Sequence, residues 1–124
     1  MATLANRVYD NGLSVLSTEA NRIDICSTEP TTYTAATATN SLGNTTSISI
    51  GNPEDGDTSG RKVVVSAVSG GSVTGSGTAT HFAISDTSNS RLLVTGTLTG
   101  GGQVVTSGNT FSLNALDIEI PDPS

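Results

Sequence analysis

Five short segments between residues 60 and 121 decide the fold of this chain: GRKVVVSAV (60–68), SVTGSGTATHFAISD (72–86), RLLVTGTLT (91–99), QVVTSG (103–108) and NTFSLNALDIEIP (109–121). Val, Ile, Leu, Phe and Thr recur in them with a two-residue period, and Gly, Ser, Asn or Asp bounds each segment. Such alternation, with turn residues about every 8–12 positions, is typical of antiparallel all-β domains. We therefore predict an antiparallel β-sandwich, of jelly-roll or immunoglobulin-like type, over residues 45–121.

The N-terminal segment has a different period. Tyr9, Leu13 and Leu16 recur at helical spacing, which predicts one amphipathic helix over residues 3–20. Gly12 lies in the interior of this helix, where glycine costs about 1 kcal/mol relative to alanine. We therefore expect that packing against the sheet or against another subunit holds the helix in place.

Between the helix and the sandwich, residues 29–44 (EPTTYTAATATNSLGN) are polar and rich in threonine, without a firm period. This composition predicts an extended surface arm, with Tyr33 and Leu42 as its only anchors. A chain of 124 residues is of the size of one domain. We therefore predict a single domain over residues 1–124, formed by the helix, the arm and the sandwich.

Composition limits the classes of function. Eleven acidic residues against five basic ones give a net charge of −6, which disfavours nucleic-acid binding because phosphate neutralisation needs clustered Lys and Arg. Aromatic residues make up 3% of the chain, so the core is expected to be thin, and oligomerisation or docking on a larger assembly would add stability. The segment MATLANRVYD lacks the pattern of a secretory signal, and no apolar run reaches membrane-spanning length, so no membrane partner is expected.

One turn has the beginning of a metal-binding pattern. Asp55, Asp57 and Ser59, followed by Gly60, have the spacing D-x-D-x-S-G that opens a calcium loop. However, Ser66 stands at the twelfth position, where such loops have a bidentate Glu. The alternative interpretation is an acidic, solvated hairpin turn, for which Asp and Gly are ordinary residues. We retain the calcium loop only as a weak candidate, and predict no cofactor.

Residues suited to catalysis are sparse. His81 is the only histidine and has no evident nucleophile or metal-ligand partner, and Cys26 is expected to be a small buried side chain. Asp117 and Glu119 share the polar face of the last strand, but a glycosidase also needs a sugar cleft lined with aromatic residues, and the chain has two Phe and two Tyr. We therefore predict no catalytic residues and a protein that is not an enzyme. Pro121 is expected to end the last strand.

Nearly the whole chain resembles a family of small virion proteins of tailed phages and prophages. The resemblance is carried by five segments: LANRVYDNGLSVL (4–16), RIDICSTEPTTYTAAT (22–37), DGDTSGRKVVVSAV (55–68), GTATHFAISDTSNSRLL (77–93) and VTSGNTFSLNALDIEIPDP (105–123). These motifs are structural, so no functional residue is carried over. The resemblance implies a virion component assembled in the bacterial host cytoplasm, in the first instance one that decorates or cements the head.

A decoration protein of this kind would bind the major capsid protein from outside and associate with itself, as a homotrimer over capsid symmetry points. The helix and the arm are natural contact elements, which makes Tyr9, Leu13, Leu16 and Tyr33 the interface candidates. In the alternative interpretation these four residues cover the open end of the chain's own sandwich.

Three other functions stay open at this point. The first keeps the virion but makes the chain a tail fibre, baseplate or host-surface-binding module. The second is a hydrolase of cell-wall glycan, which would need Asp117 or Glu119 in a cleft. The third is a binding domain stabilised by calcium at the turn that begins with Asp55.

Overall fold

The computed structural model describes residues 4–98 and 102–122 of the chain. One α-helix, α1, and one π-helical turn accompany eleven strands in this part of the chain. The helical elements are α1 (Asn6–Glu19) and the π-helical turn (Ala35–Thr39). The strands are β1 (Arg22–Cys26), β2 (Ser41–Thr45), β3 (Glu54–Asp55), β4 (Arg61–Val65), β5 (Val68–Val73), β6 (Gly77–Ala79), β7 (His81–Asp86), β8 (Arg91–Thr97), β9 (Gln103–Val105), β10 (Thr110–Leu113) and β11 (Leu116–Ile120). The predicted all-β, antiparallel class with one N-terminal helix is confirmed.

The largest sheet has six strands in the order β10-β5-β2-β1-β7-β8, and every neighbouring pair is antiparallel. Its central strand, β1, is buried from Ile23 to Cys26. Ile23 is paired with Ile84, and Ile25 is paired with Phe82. The apolar side chains of β1 and β7 therefore form the centre of this sheet.

Each of the two phenylalanines lies over a glycine of the neighbouring strand. Phe82 is paired with Gly96, and Phe111 is paired with Gly71. A Cβ atom at either glycine would meet the ring of its phenylalanine. Because glycine lacks that atom, each ring can lie flat against the adjacent strand, and both phenylalanines are buried as the alternating pattern predicts.

A second sheet has three strands in the order β11-β4-β3, and α1 packs against β4. Val63 and Val65 of β4 are fully buried. β11 ends at Ile120, directly before Pro121, as predicted. A third, two-stranded sheet consists of β6 and β9.

The chain divides into two compact units. The single domain over residues 1–124 stays a prediction. Unit 1 comprises residues 1–19, 49–67 and 114–124, and therefore contains α1 and the three-stranded sheet. Unit 2 comprises residues 20–48 and 68–113, with the six-stranded and two-stranded sheets. Each unit joins segments that are distant in sequence, so their division could not be read from a change in composition along the chain.

The extended arm predicted over residues 29–44 is wrong. Ala36 lies in the π-helical turn and is fully buried beside Cys26 and Ala83. The residues Ser41–Thr45 form β2, which is an inner strand of the six-stranded sheet. At Gly43, in the middle of β2, an added Cβ atom would meet Ser72 and the ring of Phe111, so this close packing requires glycine. Because glycine is depleted in strands, the sequence gives no sign of a strand at this position.

A charged group is buried inside the six-stranded sheet. Asp24 of β1 is fully buried, and both of its carboxylate oxygens accept hydrogen bonds from Arg22, at 2.8 and 2.9 Å. The hydroxyl of Ser41 donates a third bond at 2.6 Å, and Arg22 also donates to the carbonyl oxygen of Thr37 at 3.1 Å. These bonds connect β1, β2 and the π-helical turn through one ion pair.

Replacing this carboxylate is expected to be costly. Asp24→Ala leaves the guanidinium of Arg22 without its partner, and we expect the free energy of unfolding to fall by about 3–5 kcal/mol in urea denaturation, the range for breaking a buried ion pair. The matched control is Asp10→Ala, because the side chain of Asp10 is 34% exposed whereas that of Asp24 is fully buried, and because its partner Arg61 keeps Asp55 as a second partner. That variant should lose less than about 1 kcal/mol. Equal losses in the two variants would contradict this account of Asp24.

Candidate functional site

The helix α1 buries one of its faces inside unit 1. Tyr9 and Leu13 are 2% exposed and Leu16 is 8% exposed. The helix packs against β4, whose Val63 and Val65 are buried. The assignment of Tyr9, Leu13 and Leu16 to a contact with another chain is therefore wrong for this structure, because these side chains lie within the chain itself.

Tyr9 also joins the helix to the last described residue of the chain. Its hydroxyl donates a hydrogen bond of 2.7 Å to Oδ1 of Asp122. The backbone N–H of Asp122 in turn donates to the hydroxyl of Ser59 at 3.1 Å. Burial, and secondly the hydrogen bond to Asp122, raise the pKa of Tyr9 to about 12, so the phenol stays neutral at physiological pH.

A second apolar surface of α1 is exposed. Val8 is 56% exposed and Val15 is 36% exposed, and Leu4, just before the helix, is 43% exposed. Gly12 lies between the two valines, and a Cβ atom built on it would have no neighbour within 4 Å. We call Leu4, Val8, Gly12 and Val15 the outer face of α1. The sequence signal for it is the spacing of seven residues between Val8 and Val15, which places them on one side of the helix.

Tyr33, the fourth predicted contact residue, is partly buried next to the π-helical turn. Its carbonyl oxygen accepts a hydrogen bond of 2.9 Å from the hydroxyl of Thr37. The local backbone bond fixes Tyr33 beside the turn rather than on an extended arm. Its role as a contact residue stays a prediction.

The residues of the candidate calcium loop have different partners. Asp55 accepts a hydrogen bond from Arg61, Asp57 accepts one from Lys62, and the hydroxyl of Ser59 accepts one from Asp122. The backbone turn is closed by a bond of 3.0 Å from the N–H of Gly56 to the carbonyl oxygen of Gly60. The solvated hairpin turn therefore describes this segment better than a loop whose ligands converge on one ion.

Asp57 instead joins the two carboxylates of β11. Asp57, Asp117 and Glu119 each offer an oxygen, and these oxygens lie within 4.8 Å of one another. Lys62 of β4, the only lysine of the chain, donates to Asp57 at 2.6 Å and to Asp117 at 3.1 Å. The ammonium group thus supplies positive charge at this carboxylate cluster, which we define as Asp57, Asp117 and Glu119.

Lys62 stabilises the negative charges of the cluster. Hydrogen bonds from Lys62 hold the pKa of Asp57 below its usual range, and the bonds to Asp57 and Asp117 raise the pKa of Lys62. The backbone N–H of Asp57 also donates to Oε1 of Glu119 at 3.2 Å, which attaches the turn to β11. Asp117 and Glu119 share a face as predicted, and the contacts that they make hold the turn in place.

The other two candidate residues lie in unit 2. Cys26 is fully buried, as predicted, and burial raises the pKa of its thiol to about 12, so the group stays protonated. His81 is partly buried, and its Nδ1 lies 2.8 Å from the hydroxyl of Thr80. That hydroxyl donates to the carbonyl oxygen of Ser27, so Nδ1 of His81 acts as the donor to Thr80.

Strands β9 and β10 border an open groove in unit 2. Its lining is uncharged, with amide and hydroxyl groups of Gln103, Asn109 and Thr110 beside Val104 and Phe111. Val104 is 78% exposed, whereas Phe111 is 7% exposed. The groove therefore offers neutral hydrogen-bonding groups but little aromatic surface on which a sugar ring could stack.

Comparison of the chain with protein-family models, with curated proteins and with solved structures gave no match. The resemblance to phage virion proteins therefore stays a prediction. Within residues 4–98 and 102–122, no helix has the length and apolar character needed to cross a bilayer.

Removing the ammonium group should destabilise unit 1 in a pH-dependent way. Because the pKa of Asp57 is lowered in the folded chain, its ionised carboxylate adds stability at pH values above the ordinary carboxyl pKa. Because the pKa of Lys62 is raised, its ammonium group adds stability at pH values below the ordinary lysine pKa. Lys62→Met should therefore lower the melting temperature most between about pH 5 and 10, and the difference from the parent chain should shrink below about pH 4. Lys62→Arg, which keeps the charge, is the control. A difference that does not vary with pH would contradict the electrostatic explanation.

The phenol of Tyr9 should limit stability at high pH. Its folded pKa is raised from 10.0 to about 12, so its contribution to stability is complete below pH 10 and is lost as pH rises toward 12. In Tyr33→Phe, Tyr9 is the only tyrosine, and its tyrosinate absorbance should appear near pH 12. Tyr9→Phe should remove the part of the alkaline loss of stability that belongs to this group. Titration of Tyr9 near pH 10 would show that the hydroxyl is not held as described.

Proposed function

We propose that this chain is a non-enzymatic structural protein of a tailed-phage or prophage particle, which binds the outside of the head and stabilises it. The observation that carries the proposal is the outer face of α1. Leu4, Val8 and Val15 expose apolar surface on an element that already buries its other face within unit 1. A second apolar side on a helix is typical of a contact with another protein chain.

The edges of the three-stranded sheet in unit 1 agree with a structural role. In unit 1 the edge strand β3 has two residues, both acidic, and β11 carries Asp117 and Glu119 and stops before Pro121. Short, charged or proline-terminated edges prevent uncontrolled pairing of sheets between copies. Chains would then associate through specific interfaces and not through the edges of this sheet, and an ordered shell requires such specific contacts.

The virion itself is proposed from the resemblance of the five sequence segments to phage and prophage virion proteins. The major capsid protein is the expected partner, and the bacterial cytoplasm the expected place of assembly. Self-association is part of the same proposal, because a core with few aromatic residues gains stability from burial between copies.

The alternative is a tail fibre, baseplate or host-surface-binding module. The groove between β9 and β10 would be its binding site, because its neutral amide and hydroxyl groups suit a polyhydroxylated ligand. Phe111 is nearly buried there, so the groove lacks the exposed aromatic surface that sugar-binding sites commonly use. The head is for this reason the preferred location.

A cryo-electron-microscopy map of the parent particle tests the proposal. We expect density of this size on the capsid exterior at symmetry-related positions, and we expect heads that lack the protein to lose their DNA at a lower temperature. Adding back purified protein should restore the resistance of the heads to heat. Density found only at the tail would overturn the proposal and would make host attachment the function to test.

A further inference from the structure

The groove in unit 2 runs along strand edges and not over one face of a sheet. Its lining contains every residue of two runs, 103–106 and 109–112. Because successive side chains of a strand point to opposite faces, a groove over one face would be lined by alternate residues. The backbone edges of β9 and β10 therefore form the walls of the groove.

We propose that this groove binds an extended, uncharged peptide segment of a partner protein, which adds to β10 as a further strand of the six-stranded sheet. β10 is the last strand in the order of this sheet, so one of its edges has no neighbouring strand within the described residues. The groove uses other residues than the outer face of α1. The inference therefore goes beyond the proposed function and does not depend on it.

Hydrogen bonds at one end of β10 show which backbone groups of β5 point toward it. The N–H of Val73 donates to the carbonyl oxygen of Asn109 at 2.9 Å, and the N–H of Gly108 donates to the carbonyl oxygen of Val73 at 3.0 Å. Both backbone groups of Val73 thus face the strand that contains β10. Backbone groups in a strand alternate between its two edges, so Gly71, two residues earlier, faces β10 as well.

The same alternation directs part of the backbone of β10 into the groove. Phe111 is paired with Gly71, so the N–H and C=O groups of Phe111 point toward β5. Those of Thr110 and Ser112, on either side of Phe111, point to the opposite edge, which is the wall of the groove. These two residues offer an extended peptide two donors and two acceptors, at the spacing that pairing between strands requires.

The sequence of this edge lacks features that protect other sheet edges of the chain. Residues 103–113 contain no charged side chain and no proline. By contrast, β3 consists of two acidic residues, β11 stops before Pro121, and β8 begins with Arg91 and is interrupted by a bulge. Such features hinder pairing with another chain, so the uncharged edge of β10 is the one that remains open to a further strand.

The groove selects a single peptide segment as its occupant. β9 forms its other wall, so the space beside β10 is bounded on both sides and does not admit a strand that is part of another sheet. The lining carries no ionised group, which favours an uncharged segment because a charge brought into the groove would lack a partner. Val104 is 78% exposed and offers an apolar contact, whereas Phe111 is 7% exposed and offers little surface for a sugar ring.

Amide hydrogen exchange of the full chain, followed by NMR, tests the proposal. The probe is a hexapeptide that alternates threonine and valine, acetylated at its amino end and amidated at its carboxyl end. In the free chain, the amides of Thr110 and Ser112 should exchange faster than the amide of Phe111, because only the latter is bonded to β5. The peptide should bind with a dissociation constant below about 1 mM. At saturation it should slow exchange at Thr110 and Ser112 by at least about tenfold.

Two comparisons separate strand addition from unspecific contact. The same peptide with N-methyl groups on the residues that face β10 lacks the donors for the ladder and should not bind. Val104→Asp should raise the dissociation constant of the unmodified peptide by at least about tenfold, because the bound peptide would remove water from the new carboxylate. Ala38→Asp is the matched control, since it adds the same charge at an exposed residue of the π-helical turn, and it should leave the dissociation constant unchanged.

Four results would overturn the inference. The first is exchange at Thr110 and Ser112 that no peptide concentration up to about 5 mM slows. The second is equal binding of the N-methylated peptide. The third is protection of these amides by a neutral oligosaccharide in place of the peptide, which would identify the groove as a sugar site. The fourth is protection that rises with the concentration of the chain alone, which would identify a second copy as the occupant. The position of the protein on the particle, which tests the proposed function, is unaffected by any of them.

Discussion

The buried carboxylate of Asp24 constrains how the six-stranded sheet is built. A charge removed from water must find hydrogen-bond donors, and here Arg22 and Ser41 supply them. Arg22 in turn binds the carbonyl oxygen of Thr37. The carboxylate of Asp24 needs its donors from Arg22 and Ser41, and this requirement constrains the register of β1 against β2 and the position of the π-helical turn. The apolar packing of Ile23 and Ile25 acts in addition.

Unit 1 satisfies its charges in a different way, through two neighbouring cations of β4. Successive residues of a strand point to opposite sides of the sheet. Arg61 pairs with Asp10 of α1 and with Asp55, while Lys62 pairs with Asp57 and Asp117. Two adjacent basic residues thus attach the helix to one side of β4 and the acidic turn to the other, which explains why so acidic a unit can be compact.

Much of the sequence pattern was correctly interpreted. The alternating segments form antiparallel strands, α1 lies within the predicted helix, and Cys26, Phe82 and Phe111 are buried. The sharing of one face by Asp117 and Glu119 also followed from the two-residue period. Strand β2 could not be predicted, because its central residue is Gly43 and its burial arises from close approach to Ser72 and Phe111, which are distant in sequence. One partner of Asp24, Ser41, was missed for the same kind of reason, since it is 17 residues away.

The sequence by itself determined the local structure: which segments extend, where the helix lies and which side of each element is apolar, because these properties depend on neighbours within a few residues. Only the tertiary structure decided which apolar side of α1 is used within the chain. Tyr9, Leu13 and Leu16 are covered by unit 1, and the outer face is left to solvent. The periodicity of a helix marks an apolar side but does not say which chain will cover it, because that depends on where distant strands come to lie.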